Sequence, residues 1–239
     1  MKTLSIVIPA YNEEAHIGKL LELIAAVPTE TLGWQKEIIV VDDGSKDRTS
    51  EVASAHAGVR VIRQSNGGKG KAVQRGIEEA TGEYVLVQDA DLEYDPADYL
   101  PMLRALGPDT IVYGSRTRGV VARHESRSGC PGRHPQQDLG PWVAGVALTA
   151  WTLCLYGRVV TDTLTAYKLY PTMALRELDV KTHGFETDHE LTAKFIRRGY
   201  RIVEVPIGYH PRSIEEGKKI RMRDGFIAVW TLLRYRVAD

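Results

Sequence analysis

The segment Val87-Gln88-Asp89-Ala90-Asp91-Leu92-Glu93 sets two carboxylates one residue apart, after the apolar run Glu83 to Val87. A strand ending in Asp-x-Asp presents its acids at the mouth of a sheet. Hard divalent cations such as Mg²⁺ or Mn²⁺ favour oxygen ligands and often bridge protein carboxylates to a substrate's phosphates. The pattern points toward chemistry on a diphosphate. Asp pairs also cap helices and fill turns, so the neighbouring segments decide its weight.

Three more polar segments follow strand-like runs. Pro9-Ala10-Tyr11-Asn12-Glu13 follows the first, Asp42-Asp43-Gly44-Ser45 the second, and Gly67-Gly68-Lys69-Gly70-Lys71 the third. Ligands of open parallel sheets bind outside the carboxyl ends of the strands, so all four segments converge on one edge. Tyr11 can stack on a nucleobase or simply line the rim. Asp43 can accept from a base N–H, while one of the pair Asp42-Asp43 forms the turn before Gly44. Lys69 and Lys71 stand where a helix N-terminus could face phosphate. The glycine segment matches neither Gly-x-Gly-x-x-Gly nor the Gly-Lys-Ser/Thr ending of a P-loop.

The elements that position these residues can be read from periodicity. Strands are expected at Leu4–Pro9, Glu37–Val41, Val59–Ile62, Tyr84–Gln88, Thr110–Tyr113 and Arg201–Val205. Helices are expected from Asn12 or Glu13, from about Arg48 to His56, after Gly70, from Asp95-Pro96, and from Phe185 to Arg197. This alternation implies an α/β fold with a mainly parallel sheet and helices on both faces. Residues 1–239 read as one domain: a nucleotide-binding half, 1–115, and a second half, 116–239. Thr117 to Gly140 is basic, lacks periodicity and is expected to be a mobile loop.

Lys+Arg and Asp+Glu number 31 each, so no global field attracts nucleic acid. Cys130 and Cys154 match no metal or disulfide pattern, which suits a reducing cytosol, and Met1 leads straight into a strand with no signal peptide. Leu139 to Gly157 carries no charged side chain. A buried helix explains it, as does a helix that also touches a bilayer surface. The terminal run Phe226 to Arg236 is too short to span, but its aromatics followed by arginines suit a membrane interface.

The segments Ser5-Ile6-Val7-Ile8-Pro9-Ala10-Tyr11-Asn12-Glu13-Glu14, Val41-Asp42-Asp43-Gly44-Ser45 and Gln88-Asp89-Ala90-Asp91 resemble family 2 glycosyltransferases of the GT-A fold. Tyr113-Gly114-Ser115-Arg116, Thr161-Asp162-Thr163, Gly184-Phe185-Glu186 and Glu204-Val205-Pro206-Ile207 are similar to the dolichol- and polyprenyl-phosphate mannose or glucose synthase branch, as is Arg212 through Ile220. The resemblance covers the chain apart from about Thr117 to Leu139. It implies that Pro9, Tyr11, Glu13 and Asp43 hold the nucleoside. Ala10, Asn12, Asp42, Lys69, Gly70 and Ala90 complete the expected donor site, and Asp89, Asp91 and Glu93 surround Mg²⁺ or Mn²⁺. Thr165-Ala166-Tyr167-Lys168 departs from the Thr-Gly-Phe-Arg or Cys-Gly-Phe-Lys of many branch members, which leaves the sugar open.

The implied reaction is inverting transfer of a hexose from a GDP- or UDP-linked donor to a polyprenyl or dolichyl phosphate. The expected location is cytoplasmic, with peripheral contact at the inner membrane face. A phosphate acceptor is already ionised near neutral pH and needs no base. It needs cations, for which Arg116, Arg212 and Lys218 are the candidates; with the metal-holding Asp91 these are the expected catalytic residues. For Lys218 the alternative is a solvated basic face. Arg123, Arg127 and Arg133 could add to the cradle. A sugar-hydroxyl acceptor would instead require a base; Asp188 and Glu190 are available, although acids also favour a helix N-terminus. His189 is expected at the surface. A nucleotidyltransferase would carry a glycine- and arginine-rich phosphate loop after the first strand, which Pro9-Ala10-Tyr11-Asn12 does not supply. A non-catalytic sugar-nucleotide binder would not need both Asp89 and Asp91.

Overall fold

The computed structural model describes residues 1–126, 129–137, 139–184, 186–211 and 222–238. Runs of β-branched and leucine residues form β1 (Lys2–Ala10), β2 (Trp34–Asp42), β3 (Val59–Arg63), β4 (Tyr84–Val87) and β5 (Thr110–Ser115). Between them lie α1 (Ile17–Ala26), α2 (Thr49–Ser54), α3 (Lys69–Glu79) and α4 (Tyr99–Arg104). Then come α5 (Arg116–Ala122), α6 (Leu139–Tyr156), β6 (Lys168–Pro171), α7 (Thr172–Arg176), α8 (Thr187–Arg197), β7 (Arg201–Pro206) and α9 (Met222–Val237). Among the described residues the strands form one sheet in the order β3-β2-β1-β4-β6-β5-β7. All pairs are parallel except those of β6, which runs antiparallel to both β4 and β5.

Both faces of the sheet are buried, which is why the strands read as continuous apolar runs. Along β1, Leu4, Ile6 and Ile8 face α1, joining Ile17, Leu20, Leu21 and Ile24. Val7 faces the opposite way, toward Val73 and Ile77 of α3 and Leu191 and Phe195 of α8. Each such side chain contributes roughly 1.5–3 kcal/mol when fully buried.

The β1–α1 turn is longer than the sequence suggests. The amides of Asn12 and Glu13 donate to Ser45 Oγ and Thr49 Oγ1, at 3.0 and 2.9 Å. Asn12 takes φ 54°, which removes it from the helix, so α1 begins only at Ile17. The stretch expected to be a loop from Thr117 starts as helix α5, because the Ser115 hydroxyl caps it by accepting from Arg118 N at 3.0 Å. Arg123 and Arg133 are spent on structure. Arg123 donates to Ile207 O, and buried Arg133 donates twice to Gln137 O.

Helix α6 is not the wholly buried helix that one of its two readings expects. Of its 18 residues only Leu148 and Thr152 are buried. It packs on α9, where Trp151 Nε1 donates to Val229 O at 3.1 Å and Tyr156 Oη donates to Leu232 O at 2.6 Å. By length and composition α6 could cross a membrane.

Helix α3 lies directly on β1, and Gly76 makes this possible. A Cβ there would stand 2.2 Å from Val7 Cγ1. The substitution Gly76→Ala is expected to cost about 1–2 kcal/mol, overpacking outweighing the gain in helix propensity. Urea unfolding of the variant against the parent chain measures it.

Candidate active site

The register places Ala10, Asp42 and Arg63 side by side at the carboxyl ends of β1, β2 and β3. The segments after β1, β2, β3, β4 and β5 therefore share one edge. Because β6 is antiparallel, its amino end reaches the same edge and brings Lys168 there.

Asp42 and Asp43 have different tasks. Asp42 is fully buried. It accepts from Ser45 N at 2.8 Å and from the Ser50 hydroxyl, so it builds the β2–α2 turn. Asp43 faces the glycine segment and accepts from Gly67 N, Gly68 N and Gln64 Nε2 at 2.8–2.9 Å. It shapes that loop, with part of its acceptor capacity left. The amide of Lys71 donates to His183 O at 3.3 Å. The first turn of α3 is thus held by protein partners at three of its approaches. Gly70 lies so close to His183 and Thr187 that a Cβ would meet Thr187 Oγ1 at 2.2 Å. Tyr11 is half-buried, Glu13 is buried, and Asn12 Oδ1 accepts from Lys46 N at 2.9 Å.

The acidic turn rests on a polar network. Gln88 donates to Asp89 O at 2.8 Å, while its carbonyl accepts from the hydroxyls of Tyr99 and Tyr167. Asp91 Oδ1 accepts from Glu93 N at 3.2 Å, and Leu92 adopts φ 60°. Glu93 turns toward the segment after β7: its carboxylate accepts from Tyr209 Oη at 3.1 Å and its carbonyl from His210 N at 2.9 Å. Ala90 is buried beneath the turn. Among the described residues no three potential metal-ligating His, Cys, Asp or Glu side chains converge.

A cation nevertheless stands among these acids. Lys69 Nζ lies 2.7 Å from Asp89 Oδ1 and 4.0 Å from Asp188 Oδ2. Burial alone would lower the Lys69 pKa. The charges of Asp89 and Asp188, with a smaller contribution from Asp91, override burial and hold it above the ordinary lysine range. This stand-in shows that the electrostatics fit a cation. Asp89 and Asp91 would offer hard oxygen donors to a divalent cation such as Mg²⁺ or Mn²⁺.

Behind Lys69 sits Lys168, fully buried and bonded to Thr163 O, Asp188 O and Asp188 Oδ1 at 3.2–3.3 Å. Burial opposes ionisation of Asp188, but Lys168 and then Lys69 hold its carboxyl below the usual range. Glu190 accepts from the amides of Lys181 and Thr182 and pairs with Lys194 at 2.8 Å, a structural role.

Arg116 is gripped by Asp162, whose two oxygens accept Nε–H and one terminal N–H at 2.7 Å each. The guanidinium carbon lies 4.9 Å from the centre of the Tyr209 ring. Glu204 Oε1 accepts from Thr161 N and Asp162 N. Beside this pair is a cavity of about 180 Å³ between α5, the 131–137 segment and the start of α6, with Trp142 and Val146 on one wall. Arg127, Arg212 and Lys218 lie outside the described residues.

Sequence reading overlooked Tyr209 and gave Lys168, Asp162 and Gln88 no role of their own, although Lys168 falls in a segment expected near the sugar. For Asp162 a signal existed in the quoted Thr161-Asp162-Thr163. His189 is buried rather than at the surface, 3 % exposed, one turn before Ala193 on the face of α8 that packs with α6 and α9. Burial first and Lys168 second push its pKa down to about 4, with Asp188 opposing. The unfolded chain protonates this ring near its ordinary 6.5, before the folded protein does. Stability is therefore lost as pH falls from about 6.5 to about 4, at up to about 1.4 kcal/mol per pH unit. In His189→Phe, denaturant melts across that window should lose this part of the slope.

The family model described as "Glycosyl transferase family 2" matches residues 5–144. The chain is 31% identical over 215 residues to a low-salt glycan biosynthesis hexosyltransferase, Agl6, of Haloferax volcanii, an alignment covering 89% of this chain and 49% of that protein. It is 30% identical over 207 residues to an undecaprenyl-phosphate 4-deoxy-4-formamido-L-arabinose transferase of Pseudomonas fluorescens, covering 77% and 58%. The chain thus spans about half the length of these two relatives. Its fold is GT-A-like: glucosyl-3-phosphoglycerate synthase of Mycobacterium tuberculosis with bound UDP superposes with a TM-score of 0.68 at 23% identity, over 100% of this chain and 81% of that one. The same synthase has been solved with Mg²⁺ and UDP, with a TM-score of 0.67 at 23% identity and coverage of 100% and 80%.

Proposed function

Because the chain belongs to glycosyl transferase family 2, we propose that it transfers a hexose from a nucleoside diphosphate sugar to a polyprenyl phosphate at a membrane surface. The observation that carries this reading is the cavity beside Arg116. Its floor is a guanidinium held in fixed orientation by Asp162, and its wall is the exposed apolar helix α6. A phosphate joined to a hydrocarbon chain matches that pairing, with the phosphate at the guanidinium and the hydrocarbon along α6. The Pseudomonas relative, by its name, acts on a polyprenyl phosphate.

The donor belongs at the opposite side of the acidic turn. Tyr11, Asp43 and the β1–α1 turn face the nucleoside, and Lys69 faces the diphosphate. Asp89 and Asp91 would hold Mg²⁺ or Mn²⁺, which supplies charge stabilisation to the departing diphosphate. The acceptor oxygen attacks the anomeric carbon from the face opposite the leaving group. The bond to the diphosphate oxygen breaks with its electron pair, and the anomeric centre inverts. Arg116 holds the attacking anion in line and offsets its repulsion by the diphosphate. Arg212 and Lys218 are the remaining proposed cations.

A base is not needed for this acceptor, and Asp188 suits that. With Lys168 and Lys69 lowering its pKa, it is a weak proton acceptor. A donor panel of UDP- and GDP-hexoses with Mn²⁺ or Mg²⁺ and a short prenyl phosphate tests the reading. The expected result is a prenyl-phosphate hexose with release of the nucleoside diphosphate. Asp91→Asn should lower turnover by about two orders of magnitude or more. Product on a free sugar hydroxyl, with none on prenyl phosphate, would overturn the acceptor assignment.

Membrane contact is proposed through α6 and α9. Leu139, Val143, Val146 and Leu153 are exposed on α6, and Phe226 and Trp230 on α9 are 74% and 63% exposed. Helix α6 rises about 27 Å, slightly less than a hydrocarbon core. The protein should float with anionic liposomes, and Leu153→Glu combined with Trp230→Glu should leave most of it in the soluble fraction. Equal flotation of the parent chain and the double variant would remove these helices from the contact.

A further inference from the structure

We infer that Lys69 is a movable internal counter-cation, which occupies Asp89 until donor arrives and then passes to the diphosphate as the divalent ion takes Asp89. The inference rests on the proposed donor site.

The argument starts from charge. Asp89 and Asp91 on the β4–α4 turn and Asp188 on α8 lie within electrostatic reach of Lys69 on α3, and Lys168 on β6 binds Asp188 from behind. Three carboxylates so close together in a sheltered edge require positive charge. Two lysines provide it, in different ways. Lys168 is fully buried and tied to three acceptors, so it is fixed. Lys69 retains 18% side-chain exposure, and its ammonium sits on a flexible four-carbon stem.

The geometry makes Lys69 a competitor of a metal ion. Divalent cations bind carboxylate oxygen at about 2.0–2.6 Å, and the Lys69 ammonium is already 2.7 Å from Asp89 Oδ1. An ion entering alone must displace or crowd a like charge. A diphosphate changes that balance, because it offers Lys69 new anionic oxygens while adding ligands to the ion. Asp188, at 4.0 Å, keeps Lys69 within the site during the exchange. Metal ion and diphosphate therefore assist each other's binding, and linkage makes the assistance reciprocal. The fixed Asp188–Lys168 pair gives the exchange a rigid back wall.

The test measures Mn²⁺ binding by the electron paramagnetic resonance signal of the free ion, with and without UDP or GDP, at constant ionic strength. In the parent chain the nucleotide should tighten Mn²⁺ by on the order of tenfold or more. In Lys69→Met, Mn²⁺ alone should bind about tenfold more tightly, and the tightening by nucleotide should shrink toward none. Lys69→Gln, which keeps a donor without the charge, carries the same expectation and replaces the methionine variant if that one does not fold. Asp188→Asn, which leaves Lys69 to Asp89, should weaken Mn²⁺ binding in the absence of nucleotide. Unchanged Mn²⁺ affinity in both Lys69 variants, with the coupling to nucleotide intact, overturns the counter-cation role and leaves the donor site standing. A parent chain that binds neither Mn²⁺ nor either nucleotide overturns the donor site and this inference together.

Discussion

Crowding of like charge at one edge of the sheet is the constraint from which the site follows. Parallel strands deliver the turns after β2 and β4 to the same side, and the start of α8 adds Asp188, so Asp89 and Asp188 meet there at Lys69. Carboxylates cannot share a sheltered edge without partners. Asp43 is satisfied by the amides of Gly67 and Gly68, and Asp188 by Lys168. Asp89 is satisfied by Lys69. Among the described residues β6 is the one strand that runs antiparallel, and its amino end brings buried Lys168 to the carboxyl edge of its neighbours. Reversing β6 would leave Asp188 without its main partner.

The parallel part of the fold was legible because strands buried on both faces leave continuous apolar runs, as in Leu4 to Ile8 and Ile38 to Val41. Strand β6 was not. It has four residues, begins with a charge and ends in proline, and its register with Leu86 and Val112 is set by neighbours distant in sequence. Asp89 and Asp91 stood out because Asp-x-Asp follows a strand and three more polar segments follow strands at the same edge. Lys168 could not, since a lysine in a short segment carries no sign of being buried. The division of labour between Asp42 and Asp43 was half visible: Gly44 announced a turn, but not which aspartate would build it.

Helix α6 exposes a different limit. An uncharged run of its length has the same composition whether it lies under a sheet, against lipid or in water, because burial belongs to what packs against it. Here α9 covers one side, and the apolar residues on the others stay exposed. The His189 reading failed for the converse reason: polar residue type suggested the surface, while its face of α8 is covered where Ala193 packs with α6 and α9.

The two halves of the site are mechanically joined at Tyr209. Its ring lies against the Arg116 guanidinium and its hydroxyl donates to Glu93 on the acidic turn. Arg116 is in turn oriented by Asp162, and the amides of Thr161 and Asp162 are held by Glu204 of β7. An arginine suits this position better than a lysine. Its planar fork can give two N–H groups to Asp162 and still present others from a fixed plane, whereas an ammonium bonded to Asp162 would point its remaining protons in no set direction. Glu204 and Asp162 thus convert a long, flexible cation into an oriented one, and Tyr209 ties that orientation to the turn that carries Asp89 and Asp91. In the proposed reaction, the spacing between an anion at Arg116 and a diphosphate at the acidic turn would be a property of the β5–β7 pair and its loops rather than of any single side chain.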